Sequence, residues 1–212
     1  MANREDPIIK IRSFQRRALD WTVRHHPFLH LDRRAEFFVQ LFEKHLPQQS
    51  RILDIGGGWG FYAKPLKERS HQVTVLDVTR PGLQKAPAVV LYEPQNPFPF
   101  ADKTFDASLL ITMLHHTPDP EAILREARRV TRGLLIVVED LYRHGLGRLW
   151  TVFRDQLYNF EFFGHPKQFK SRDEWQKLFE KQGMTLLETR EVYTRLAGLR
   201  ILNGVFVLKA SA

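Results

Sequence analysis

The chain has 212 residues, 43% hydrophobic and 26% charged, which suits one folded domain with a full core and excludes a disordered or fibrous chain. With no cysteine there is no disulfide framework, and no apolar run reaches the roughly 18 residues of a membrane-spanning helix. Lys and Arg number 32 against 24 acids, a net charge of +8 that favours polyanions, anionic membranes or acidic substrates. The basic residues are scattered, with Arg16-Arg17, Arg33-Arg34 and Arg128-Arg129 as separate pairs, so a solvated basic surface is the plain reading beside a nucleic-acid footprint. The first residues, Met1-Ala-Asn-Arg-Glu-Asp-Pro7, contain no hydrophobic signal core, and a cytoplasmic setting is expected.

Residues 1–46 are expected to form a helical cap within the same domain as the rest. Ile8, Ile11, Phe14, Ala18 and Trp21 stand at helical spacing and predict an amphipathic helix over 8–23. Asp32 is placed to cap a second helix with an apolar face of Phe37, Phe38, Leu41 and Phe42, stopping before Pro47. These helices suit a lid over a pocket, a layer on the sheet or, through Arg12, Arg16, Arg17, Arg33 and Arg34, a peripheral contact with an anionic membrane.

From Arg51 strand and helix alternate over 47–212. Strands are predicted at 51–55, 72–77, 88–91, 105–112 and 134–139, with helices at 59–69, after Pro81 and at 120–130. Pro65 should shorten or kink the first of these helices. Asp119 and Pro120 mark the start of the last, and only Thr131-Arg132-Gly133 links it to its strand. Residues 141–170 form an insertion rich in aromatics, part core and part roof over an apolar or aromatic substrate. Ser171 and Glu174 make a capping-box signature before Trp175, Leu178 and Phe179, Gly183 ends that helix, and strands at 184–192 and 202–209 complete the chain. Such alternation implies right-handed crossovers and a mainly parallel sheet covered on both faces, an α/β three-layer sandwich of the Rossmann-like kind.

One stretch carries most of the chemistry. Arg51-Ile-Leu-Asp-Ile-Gly-Gly-Gly-Trp-Gly60 is an apolar run entering a glycine-crowded turn, and Val73-Thr-Val-Leu-Asp77 is a second apolar run ending in an acid. Glycines there allow close approach of a ligand to the backbone, and Asp77 is placed to accept from both hydroxyls of a ribose. A dinucleotide fingerprint would need a small residue at 61, where Phe61 stands, and the phosphate-loop Lys and Ser/Thr are absent. The pattern that remains, Asp54-x-Gly56-x-Gly58-x-Gly60, resembles the class I S-adenosylmethionine-dependent methyltransferases. Residues 96–139, through Asn96-Pro-Phe-Pro-Phe100, Asp106, Thr112-Met-Leu-His-His116, Pro118-Asp-Pro-Glu121 and Leu134-Leu-Ile-Val-Val-Glu139, look like its type 11 branch. Three motifs in the family's order cover roughly residues 50 to 140.

The resemblance implies a seven-stranded sheet with an antiparallel edge strand and S-adenosylmethionine as cofactor, leaving S-adenosylhomocysteine. It implies that Asp54 lies near the methionine portion, that Gly56, Gly57, Gly58 and Gly60 bring amides toward the amino-acid and ribose parts, and that Val78 flanks the adenine beside Asp77. Glu93 is a candidate for the adenine edge, with a solvated loop acid as the plain alternative. Thr112 and Met113 should border the transferable methyl, followed by His115 and His116. No metal is expected, because consecutive histidine side chains diverge and no second ligand pair is suitably spaced. One of the pair is a candidate proton acceptor or orienting donor, the alternative being a structural histidine. Asp140, with Glu139 before it, is a further candidate base. The expected reaction is methyl transfer to a small-molecule acceptor. An RNA-modifying enzyme and a catalytically inactive cofactor-binding protein are the rivals, and the missing Asn/Asp-Pro-Pro-Tyr motif argues against amide-nitrogen methylation of nucleic acid.

Overall fold

Apolar residues on both sides of a strand require cover on both faces of the sheet, and the strands here have that character. The computed structural model describes residues 30–78, 89–159 and 168–210, with Arg17, Trp21, Thr22 and His25 ahead of them. Those four are the only described residues at or near the expected first helix, and they are helical; the remainder of it, the helix after Pro81 and the aromatics at 160–167 lie outside the described residues.

Seven strands form one sheet: β1 (Arg51–Ile55), β2 (Gln72–Asp77), β3 (Val89–Leu91), β4 (Phe105–Ile111), β5 (Thr131–Asp140), β6 (Thr185–Leu196) and β7 (Leu199–Lys209), in the order β3-β2-β1-β4-β5-β7-β6. The first five run parallel, and β7 runs against both β5 and β6. Strand order reverses between β1 and β4, and in such sheets a crevice opens there at the carboxyl ends. Helices α1 (Leu31–Phe42) and α2 (Ala63–Glu68) cover one face, where Phe38, Val39, Phe42 and Leu66 pack on Ile52, Leu109, Ile136 and Val138. Helices α3 (Pro120–Val130) and α5 (Arg172–Lys181) cover the other, where Leu124, Ala127, Trp175 and Phe179 pack on Leu53, Leu110, Val137 and Phe206. Helix α4 (Gly145–Asn159) follows the end of β5.

Several local expectations change for physical reasons. Asp32 is not the cap of α1: His30, in the left-handed region, holds that position, and Asp32 lies in the first turn where its charge suits the helix dipole. Phe38 and Phe42 are fully buried while Phe37 is 38% exposed, so the apolar face is narrower than predicted. Arg69 bonds Glu36 and Glu43 and ties α2 to α1. Arg34 is turned inward, over the ring of Phe38 and toward Asp140, rather than outward toward a membrane. The helix after the glycine loop is short, six residues, as Pro65 implied; Pro65 falls in its first turn, where its missing N–H costs nothing.

No loop separates α3 from β5. The expected link, Thr131-Arg132-Gly133, is itself strand: Thr131 is buried against the hydroxyl of Ser108 (2.6 Å), and Gly133 passes so close to β4 that a Cβ would sit 2.5 Å from the carbonyl oxygen of Asp106. The last two strands are longer than predicted because Ala197 and Gly198, both at positive φ, join them by a two-residue turn. The Ser171–Glu174 capping box and the Asp119 cap form as expected.

Gly133→Ala is expected to destabilise the domain by about 1–3 kcal/mol through overpacking, whereas Gly145→Ala, with nothing near the added methyl, should be close to neutral. Phe38→Ala should cost about 3–5 kcal/mol. Urea unfolding midpoints of the three variants check both expectations.

Candidate active site

The carboxyl ends of β1, β2, β4 and β5 carry the side chains that the sequence singles out. Between β1 and α2 the glycine loop turns back on itself: Gly56 donates to the carbonyl of Leu76 (2.7 Å) and Gly60 to that of Gly57 (2.8 Å). Gly56, Gly58 and Gly60 all have positive φ, the left-handed backbone that a side chain would strain. Gly57 is needed for a different reason, since a Cβ there would collide with the Asp54 carboxylate at 2.4 Å.

Asp54 is 1% exposed, and its Oδ2 has no hydrogen-bond partner. Burial, reinforced by the charge of Asp77, pushes its pKa up to about 7. Asp77, at the end of β2, is buried and accepts from the Gly58 amide (3.0 Å), so the turn and the acid hold each other in place. A Cβ at Gly58 would meet nothing nearer than 3.9 Å, which leaves open space facing Asp77. A buried carboxylate without a partner and an open cradle beside a second carboxylate fit a ligand with a cationic group at one end and a diol at the other. Val78 is exposed beside Asp77. Glu93 follows β3, on the same edge, but is exposed and accepts from the side chains of Gln95 and Asn96, the geometry of a loop acid capping its own turn.

At the end of β4 the chain is strained. Thr112 has φ 49 and donates its amide to Val138 (2.7 Å), and Met113 packs against the backbone of Gly56. A 3-10 turn, Leu114–His116, follows. Glu139 of β5 organises it from a fully buried position: one oxygen accepts from the amides of Met113 (3.1 Å) and Leu114 (2.8 Å), and the other pairs with His115 Nδ1. The two histidine rings do not diverge as expected. Their centroids are 4.0 Å apart, and Asp155 of α4 meets both, at 3.6 Å from His115 Nε2 and 3.7 Å from His116 Nε2. Burial works against the charge of His115, yet Glu139, with Asp155 behind it, outweighs burial and raises its pKa to about 10.

Asp140, the next residue along β5, points to the opposite face of the sheet. It accepts from Arg154 (2.6 Å) and Asn203 (2.6 Å), with Arg34 at 3.8 Å. Both its oxygens are therefore engaged. Adjacent residues of α4, Arg154 and Asp155, thus hold Asp140 and the two histidines on either side of the sheet edge.

The structure brings Asp54, Gly56, Gly57, Gly58, Gly60, Asp77 and Met113 into one neighbourhood and gathers His115 and His116 beside it, while Glu93 caps a loop on the rim. Arg154, Asp155, Asn203 and Arg34 were missed in the sequence. The signal for two of them was present: Arg154-Asp155 is an adjacent pair of opposite charge beside the apolar and aromatic residues of α4, and both are nearly fully buried.

Comparison with known proteins bears on this edge. Residues 53–137 match the sequence model of a family described as "Methyltransferase domain". An O-methyltransferase of ubiquinone biosynthesis from Alkalilimnicola ehrlichii is 31% identical over 113 residues, covering 48% of this chain and 46% of that protein. Methyltransferase GfsG of Streptomyces halstedii is 32% identical over 114 residues, 52% of this chain and 40% of that protein. The chain thus spans about half the length of the curated relatives it matches, or less. A solved S-adenosylmethionine-dependent methyltransferase from Thermotoga maritima superposes with a TM-score of 0.66 at 21% identity, over 91% of this chain and 97% of that one, a likeness of fold. The glycine loop, the acid ending β2 and the strand order agree with the match, so residues 53–137 are similar in sequence to a methyltransferase domain and stand in a Rossmann-like methyltransferase fold.

Proposed function

We propose that the protein transfers a methyl group from S-adenosylmethionine to a small-molecule acceptor, apolar or aromatic in character. The observation that carries the cofactor half is the pair of buried acids at the ends of β1 and β2, one without a partner and one facing open space beside Gly58. In this reading Asp54 takes the cationic amino-acid end, Asp77 takes the ribose, the amides of the glycine loop lie along the body of the cofactor, and Val78 flanks the adenine. The cofactor supplies a methyl group already activated on a sulfonium. The protein's share is alignment and exclusion of water, with Thr112 and Met113 fixed where β4 ends.

The acceptor half is supported by α4. Its buried residues Thr151, Arg154 and Asp155 face the site edge, while Leu146, Leu149, Trp150, Phe153 and Leu157 are exposed, an apolar face suited to an apolar acceptor or to a roof above it. Among the candidate proton acceptors His116 has a side chain 25% exposed, against 2% for His115, and Asp140 has both oxygens engaged. His116 is therefore the member of that set open to a substrate. No described helix is long and apolar enough to cross a membrane.

Calorimetry should give saturable binding of S-adenosylmethionine and S-adenosylhomocysteine and none of nicotinamide dinucleotides; comparable dinucleotide binding would overturn the assignment. Asp77→Ala should weaken cofactor binding by about 1.5–3 kcal/mol for each ribose hydrogen bond lost. Unchanged affinity in a folded variant would remove Asp77 from the site.

Asp54 gives a pH test. Its folded pKa of about 7 lies above the ordinary 3.8, so the folded chain holds an extra proton between those values and stability falls as pH rises through that window. Asp54→Asn should therefore raise the melting temperature of the cofactor-free protein more at pH 8 than at pH 5, while weakening cofactor binding. For the unmodified chain, a cationic ligand favours ionised Asp54, and affinity should increase from pH 6 to pH 8. A flat profile would place the cation elsewhere.

A further inference from the structure

We infer that His115, His116 and Asp155 form a binding site for a divalent transition-metal cation of the zinc class. The three side chains come from two separated parts of the chain: the histidines from the 3-10 turn after β4, and Asp155 from the buried face of α4. One ligand atom from each, an imidazole nitrogen from either histidine and a carboxylate oxygen, lie within 4.8 Å of one another. The carboxylate oxygen stands 3.6 and 3.7 Å from the two nitrogens. Ligands bonded to zinc at about 2.0–2.1 Å in tetrahedral geometry are separated by about 3.4 Å, so the carboxylate oxygen is already within a few tenths of an ångström of that spacing from both nitrogens.

Three further features separate this cluster from a chance meeting of polar groups. His115 is 2% exposed, and its Nε2, directed at the cluster, has no hydrogen-bond partner, although burying such a nitrogen unsatisfied is costly. Its other nitrogen, Nδ1, is held by Glu139, which is itself fixed by two backbone amides. That is the carboxylate–histidine support that orients an imidazole for metal binding and raises its basicity. Phe169 stacks on the ring at 4.4 Å and locks its plane. Two imidazoles and one carboxylate are the donor set of a three-ligand zinc site that keeps a fourth position for water or substrate, and the partial exposure of His116 leaves a route for either. On binding, the cation takes the lone pair of His115 Nε2, and any proton there is released to solvent. Glu139 remains bonded to Nδ1.

The site is built from side chains alone and stands whether or not the methyl-transfer reading holds. The test uses the full chain, stripped with a chelator and titrated with Zn2+ by calorimetry and with Co2+ by visible absorption. The expected result is one cation per chain, a low-symmetry Co2+ spectrum with nitrogen and oxygen donors, and a higher melting temperature with Zn2+. Asp155→Asn, which preserves shape, and His116→Ala, at a partly exposed position, should each lower Zn2+ affinity at least about tenfold. Both variants should keep the cooperative unfolding of the metal-free protein. Absence of saturable binding by the unmodified chain would overturn the inference, leaving His115 as an imidazolium between two carboxylates. So would binding undiminished in both variants. S-adenosylmethionine titrated separately into the metal-free chain keeps the two readings apart: cofactor binding without zinc binding overturns the metal site alone, and zinc binding without cofactor binding overturns the cofactor reading alone.

Discussion

A carboxylate taken out of water must be paired, hydrogen-bonded or protonated, because its desolvation otherwise outweighs the few kcal/mol by which a domain of this size is stable. Three strands of the sheet, β1, β2 and β5, carry four such groups at their carboxyl ends, Asp54, Asp77, Glu139 and Asp140, all nearly or fully buried. Each solves the problem differently. Asp77 accepts from the Gly58 amide, Glu139 from two amides and an imidazole, and Asp140 from Arg154 and Asn203. Asp54 finds no donor for Oδ2 and instead has its pKa raised. The least satisfied acid of the set is also the one beside the glycine loop, where a cationic ligand would complete it.

The alternation of β5 turns this constraint into an architecture. Glu139 and Asp140 are neighbours in sequence and point to opposite faces, so one organises the turn after β4 on the α5 side and the other draws in Arg34 from α1. Helix α4 joins the two sides, since Arg154 reaches Asp140 and Asp155 reaches the histidines. Removing either partner of such a pair leaves a buried charge uncompensated, a loss of about 3–5 kcal/mol. The element that closes the carboxyl edge is thus held by charge, while its outer face, from Leu146 to Leu157, remains apolar.

Legibility in the sequence followed the range of the forces involved. The alternation of strand and helix follows the local period of apolar residues, and the Asp119 cap and the Ser171–Glu174 box rest on contacts between residues a few positions apart, so these caps formed where spacing placed them. Elsewhere a distant partner decided: β5 starts three residues early because β4 offers Thr131 and Gly133 a place to pair.

By itself the sequence determined the α/β alternation, the glycine turn that strains any side chain, and the acids that end β1 and β2, since each depends on backbone freedom or on the period of apolar residues. The chemistry around the histidines was decided only in three dimensions. Adjacent side chains diverge in an extended chain, but a 3-10 turn pinned by Glu139 folds the rings to 4.0 Å, and Asp155, thirty-nine residues beyond His116, closes on them from another helix. No local pattern encodes that meeting, because it depends on where β5 ends and how α4 packs across it.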